Sequence, residues 1–299
     1  MSNHIDLHMH SNYSDDGDFT PAELVRRCKE AGVLVMSITD HNSASGNAGA
    51  KNEALKHGIE YITGIELDCT YEGMNLHLLG YGIDDLSSDI KTLESQMLAD
   101  EKAASIERLR LTRKLGFDVT ETEMNALSNI NDERGTWTGE MFAEVLLDKE
   151  EYLNHPLLEP YRANGERSDN PYVNFYWDFY SQGKPCYIKV DFPEIQKAID
   201  IIKGNGGKAV LAHPGNNLKN RFELFDDIAQ TGIDGVEVFC SYHNKETAEY
   251  FNNKAQQYSL IITCGSDYHG KTKPSVNLGK TGCWLERDEI DKQADLLMG

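Results

Sequence analysis

Short apolar runs, each closed by a polar turn and followed by a segment with helix signals, recur along this chain and restrict what it can fold into. VLVMSIT ending at Thr39, IEYITGIEL (Ile59 to Leu67), LHLLGYGI (Leu76 to Ile83), GKAVLA ending at Ala212, GVEVF ending at Phe239 and LIITC ending at Cys264 read as buried strands. Ile5 to Leu7 is too short to assign by itself. Between the runs lie helices. The first is marked by Thr20 as N-cap, Pro21 at the first helical position, Glu23 for a capping box and Gly32 just past the end. Others run through AGAKNEALKHG, from Pro193, near Phe222 to Gln230, and over Lys245 to Tyr258. Strand and helix in alternation predict βα units around a parallel sheet, and the number of units predicts a TIM-like barrel.

The alternation is interrupted once. From Asp85 to Gln182 the chain carries a long charged helix, further helical pieces and the aromatic stretch NPYVNFYWDFYSQGKP. The expected organisation is therefore a first barrel part over 1–85, an inserted helical cap over 86–183, and a second barrel part with the C-terminal tail over 184–299.

Charge narrows the partners. Asp and Glu number 49 against 29 Lys and Arg, a net charge of −20, which excludes a broad electrostatic grip on extended duplex nucleic acid. An anionic substrate then needs a local positive feature, and bound dications supply one. No stretch approaches the roughly 20 apolar residues that span a bilayer. With no membrane partner, a cytoplasmic location is expected. The six cysteines are scattered without a CxxC pair and read as reduced, buried thiols.

Histidines and acids collect at the predicted strand ends, where barrel enzymes build their sites. HMH is followed by SDD, and TDH, GIE with LHLLGY, AHP and GSDYH complete the set. His8 and His10 are two apart, so on extended chain both imidazoles face one side and can share an ion. His41, Glu66, His77, His213, Asp267 and His269 occupy comparable places. Nitrogen and carboxylate donors without thiolate suit zinc, manganese or iron. A lone histidine is more often a satisfied loop residue, and His4, His57 and His155 stay in that class. The sequence carries no GxSxG, Walker loop or cysteine motif for covalent or triphosphate-driven chemistry.

HMHSNYSDDG, ITDHN, TGIEL, LHLLGY, VLAHPG and CGSDYHG, in this order, resemble the polymerase and histidinol phosphatase (PHP) superfamily of phosphoesterases. The resemblance covers about 1–85 and 184–275, and the insertion is most similar to the branch acting on nucleoside 3′,5′-bisphosphates and short RNA. It implies a distorted (β/α)7 barrel and a trinuclear centre. Carried over, His8, His10, Glu66 and Asp267 hold one ion; Glu66, His77 and His213 a second; Asp15, His41 and His269 a third. Asp16 rivals Asp15, and Asp40 stands as an outer partner or a turn residue.

The implied reaction is hydrolysis of a small nucleotide's phosphomonoester or phosphodiester by a metal-bridging hydroxide, with Glu66 and Asp267 in the catalytic centre. Arg134, Lys184 and His243 are the expected substrate contacts, and His243 also the expected proton donor. Lys219 and Arg221 are weaker candidates. The aromatic stretch Tyr172 to Tyr180 is cap core or a platform for a base. Histidinol phosphate is the runner-up substrate; a non-hydrolytic metal-binding module and an amide hydrolase are the competing classes. The sequence leaves the oligomeric state open.

Overall fold

The computed structural model describes residues 4–127, 135–219 and 221–298 and shows a mixed α/β fold. Three short strands, β1 (Ile5–Asp6), β2 (Val35–Met36) and β3 (Glu60–Tyr61), pair in parallel in that order. Helices α1 (Pro21–Ala31) and α2 (Asn47–His57) connect them. Three cap signals of α1 are realised: Thr20 Oγ1 accepts from Glu23 N at 3.3 Å, Pro21 opens the helix, and Gly32 closes it at φ 82°, a value glycine adopts without strain. The Glu23 carboxylate, expected to complete a capping box, instead accepts from Arg27 Nη2 at 3.1 Å.

Five further strands form a second sheet in chain order: β4 (Gly64–Tyr71), β5 (Met74–Tyr81), β6 (Lys208–Leu211), β7 (Gly235–Cys240) and β8 (Ile261–Gly265). Here the expected all-parallel arrangement is corrected. β5 runs antiparallel to both β4 and β6, and only β6, β7 and β8 are mutually parallel. The cause is local. Glu72 (φ 48°) and Gly73 (φ 75°) are both left-handed, the geometry of a two-residue hairpin turn that reverses the chain with no crossover helix. IEYITGIEL likewise divides into two strands, β3 and the start of β4.

Among the described residues the strands do not form one closed ladder. The sheets are joined by single bridges, Met9 to Tyr268 and His41 to Glu66, and by Leu7 N donating to Cys264 O at 3.0 Å. These bridges bring the turn after β1 beside the turn after β8, and the turn after β2 beside β4.

Between β5 and β6 lie α3 (Ser88–Lys114), α4 (Glu121–Leu127), α5 (Gly139–Asp148) and α6 (Pro171–Phe179). They enclose their own core, which includes Leu109, Phe117, Phe142 and Phe175, each such side chain contributing about 1.5–3 kcal/mol on burial. The remaining helices are α7 (Ile195–Gly204), α8 (Pro214–Asn217), α9 (Phe225–Ala229), α10 (Lys245–Tyr258) and α11 (Arg287–Asp295). Ile199, Phe225, Phe251 and Ile290 from them share a core with Val210 and Val236 of the sheet. No helix among the described residues is long and apolar enough to cross a membrane.

Candidate metal centre

β1 ends two residues before His8, so His8 and His10 leave the sheet on extended chain and point the same way. Both Nε2 atoms reach the same two oxygens. They lie 3.2 Å from Glu66 Oε2, and 3.3 and 3.1 Å from Asp267 Oδ1. Around Glu66 the set widens: His77 Nδ1 is 3.0 Å and His213 Nε2 3.2 Å from Oε1, and His41 Nδ1 is 3.4 Å from Oε2. Glu66 and His77 are not at strand exits but inside β4 and β5, where Asp68 pairs with His77 across the hairpin. The bridge between His41 and Glu66 then sets the TDH turn against this hairpin.

A third group forms where His269 stacks on His10 with ring centroids 4.0 Å apart. Its carboxylate is Asp16, whose Oδ2 is 3.1 Å from His269 Nε2 and 3.9 Å from His41 Nε2. The expected ligand Asp15 lines the same cavity but accepts from Thr136 Oγ1 at 2.6 Å, and it is Asp16 that stands with the histidines. His10, Asp16, His41 and His269 therefore form one possible ion site, beside His8–His10–Glu66–Asp267 and His41–Glu66–His77.

These residues fit divalent cations. His10 Nε2, His41 Nδ1, His269 Nε2 and Asp16 Oδ1 are buried and make no hydrogen bond, although carboxylate oxygens stand within ion-pair range of the three nitrogens. Buried polar atoms are nearly always hydrogen-bonded, and an ion is one of the few explanations for exceptions. Protonation states agree for the carboxylates and His10, whereas against burial the neighbouring Glu237, Glu66 and Asp267 raise His8 and Glu66 raises His77 to about 9, so these two give up a proton when they ligate. Burial would raise Glu66, but His8, His41 and His77 hold it well below the carboxylate range. Burial is likewise outweighed at Asp267 by Lys273, His269 and His8. Burial and the neighbouring His269 and His41 push His10 down to about 4. Ionised carboxylates around a neutral imidazole are the state that ligation requires.

The surroundings hold the donors in place. Glu237, fully buried in β7, accepts from His8 Nδ1 at 3.0 Å and from His213 N at 2.8 Å, which leaves His8 Nε2 facing the centre. Gly265 makes room for this pair: a Cβ there would stand 2.1 Å from His8 Cβ and 2.7 Å from Glu237 Oε1. Tyr242 Oη and Lys273 Nζ both donate to Asp267 Oδ2, at 2.5 and 2.6 Å, and so direct Oδ1 to His8 and His10. Asp40 accepts from Ser11 N and Oγ at 2.6 and 2.7 Å and fixes the turn after His10. His213 (φ 21°) and Asp267 (φ 56°) are left-handed, a backbone cost on the order of 1 kcal/mol or more each.

Three expected substrate residues fare differently. Arg134 lies outside the described residues. Lys184 is exposed and is not on the wall of the central cavity. His243 is corrected most clearly: Gly215 N donates to its Nε2 at 3.0 Å and its Nδ1 donates to Val238 O at 2.8 Å. With both nitrogens engaged by backbone, it braces the His213 turn and has no proton to hand to a leaving group. The sequence reading missed Glu237, Tyr242 and Lys273. Only Glu237 had a signal, an acid inside an otherwise apolar strand.

The central cavity has a volume of about 480 Å³, with Asp16, His41, His77, His213 and Asp267 at one end. A family model described as a PHP domain matches residues 6–159, just over half of the chain. The chain belongs to the PHP family. Phosphoribosyl 1,2-cyclic phosphate 1,2-diphosphodiesterase of Eggerthella lenta is 28% identical over 268 residues, 89% of this chain and 94% of its own length. The 3′,5′-nucleoside bisphosphate phosphatase of Chromobacterium violaceum is 26% identical, over 93% of this chain and 91% of its own. A 5′-3′ exoribonuclease of Haemophilus influenzae is 29% identical, over 90% and 91%. Among solved structures, a Bifidobacterium adolescentis protein described as a metal-dependent phosphoesterase superposes with a TM-score of 0.75 at 28% identity, covering 97% of this chain and 94% of that one. This PHP protein is a hydrolase of phosphoester bonds.

Proposed function

We propose that this PHP protein hydrolyses a phosphoester of a small nucleotide or short oligonucleotide, using two or three divalent ions, manganese, zinc or iron. The observation that carries the reading is the set of buried imidazole nitrogens without hydrogen bonds, facing Glu66, Asp267 and Asp16. His8, His10, Glu66 and Asp267 would hold one ion; Glu66, His77 and His213 a second, with His41 adjoining; Asp16, His41 and His269 a third. Bound ions lower the pKa of water toward neutrality and neutralise charge on the phosphoryl oxygens. The chain's own residues do the rest. Glu237, Tyr242 and Lys273 fix the directions of His8 and Asp267, and Lys273, on the cavity wall, has donors left for an anionic phosphoryl oxygen.

The relatives support the substrate class, since those three act on a cyclic sugar phosphate, a nucleoside bisphosphate and RNA. The bridged sheets are consistent with a distorted (β/α)7 barrel, and the separate core of α3 to α6 with an inserted cap over 86–183. Six free, buried cysteines agree with a reducing, cytoplasmic setting. The test is phosphate release, with manganese or zinc supplied, from mononucleotides, 3′,5′-bisphosphates and short RNA. Hydrolysis of at least one class is expected; inactivity on all three with ions shown to be bound contradicts the proposal.

A further inference from the structure

The cavity that gathers histidines and carboxylates at one end is apolar at the other. Met97 and Leu98 of α3, Val173, Tyr176 and Trp177 of α6, and Phe192 beyond the helical segment line that end. α6 is anchored there: Asp178 accepts from Tyr161 Oη at 2.6 Å and pairs with Arg167 at 3.0 Å, so the neighbouring Trp177 has a fixed backbone. Its ring meets Tyr176 edge-on, with centroids 5.3 Å apart at 72°, and stays half-buried. The ammonium of Lys219 stands 6.0 Å from the indole centroid. A phosphoryl group has no use for such a wall. A cavity of about 480 Å³ has room for much more than phosphate.

The same cavity offers polar partners for the edge of a ring: Glu94, and Glu101 beside its partner Arg108, line it and carry oxygens that accept from amino groups. We infer that the wall formed by α3 and α6 binds the nucleobase of the substrate, with Trp177 as its stacking platform. The assignment rests on the phosphoester reading of the opposite end. It separates a nucleotide from a phosphate ester with a small aliphatic body, which leaves the wall uncovered.

The test uses the metal-loaded full chain, Trp177→Ala and Trp177→Phe, and two ligands: adenosine 3′,5′-bisphosphate, and glycerol 2-phosphate, which has no base. Equilibrium binding is measured by calorimetry and hydrolysis by phosphate release. Trp177→Ala should weaken the bisphosphate roughly 5- to 150-fold, the range for loss of one base stack, while constants for glycerol 2-phosphate stay unchanged and Trp177→Phe restores most of the loss. Equal losses on both ligands, or none, overturn the inference. Should circular dichroism show Trp177→Ala unfolded, Leu98→Glu on the facing helix is expected to give the same split, and its failure to do so counts against the inference equally. Base-dependent binding without turnover of any ester would sink the hydrolase reading alone; turnover with no dependence on Trp177 or Leu98 would sink this one alone.

Discussion

The two ends of the central cavity are built by opposite rules. At the strand end, His8, His10, Glu66, Glu237 and His269 are fully buried, and each donor is aimed by a neighbour with little freedom. At the cap end, Leu98, Tyr176 and Trp177 are half-buried on helices that enclose a core of their own, and Phe192, half-buried too, lies on the segment that follows them. The first end resembles a rigid ion cage and the second a surface open to exchange. A buried charged network tolerates no missing member, whereas an apolar wall loses affinity in proportion to the contact removed. Substitutions at the strand end should therefore abolish function, and those at the cap end should redistribute it among substrates.

The largest effect is expected from His10→Ala or Asp267→Asn, each lowering turnover by a factor on the order of 10³ or more with loss of bound ion; elemental analysis of the purified variants beside their kcat checks this. Glu237→Gln should come next. It keeps the size of the side chain but replaces the charge that orients His8, and a 10- to 100-fold loss of metal affinity is expected, read by competition with a chelator. If ion affinity is unchanged there, the strand end is not held as rigidly as the geometry indicates. Lys273→Met removes a charged donor from Asp267 Oδ2, a hydrogen bond worth about 1.5–3 kcal/mol, so kcat/KM should fall by roughly 10- to 150-fold.

The acids beside His41 give a sharper comparison, because they are adjacent in sequence. Asp16→Asn should deplete one ion, while Asp15→Asn, which weakens the bond from Thr136, should leave the ion content unchanged and change kcat/KM by less than about tenfold. The opposite order would return the ligand role to Asp15. The mildest effect on the centre is expected from Phe175→Ala in the helical core. It should cost about 3–5 kcal/mol of stability in that segment, measured by denaturant unfolding, and leave the ion content of the folded fraction unchanged.

How much of this was legible in the sequence follows the same division. The candidate ligands at the strand ends were legible because HMH, TDH, AHPG and GSDYH each follow a short strand, and local spacing fixes which way those side chains point. The choice between Asp15 and Asp16 was not, since what favours Asp16 is the side chain of Thr136 on Asp15, a partner more than a hundred residues away. His243 was misjudged for a similar reason: its motif looks like a strand-end histidine, yet Gly215 and Val238 claim both nitrogens through folding. Lys273 and Tyr242 lie near the motifs but acquire meaning only when Asp267 is placed between them. The reversal of β5 was written in Glu72–Gly73, a tight-turn pair that is easily passed over when flanking runs suggest parallel strands.

The central claim, that the buried imidazoles and carboxylates hold the ions that cleave a phosphoester, is tested most directly by counting ions against activity. The chain is stripped with chelator, reloaded stepwise with manganese or zinc, and assayed at each step for phosphate release from adenosine 3′,5′-bisphosphate. Turnover that appears only after ions bind, saturates at two or three per chain and is lost in His10→Ala is the expected result. Turnover that persists in the stripped protein, or saturated ion binding with no phosphoester cleaved, would contradict it.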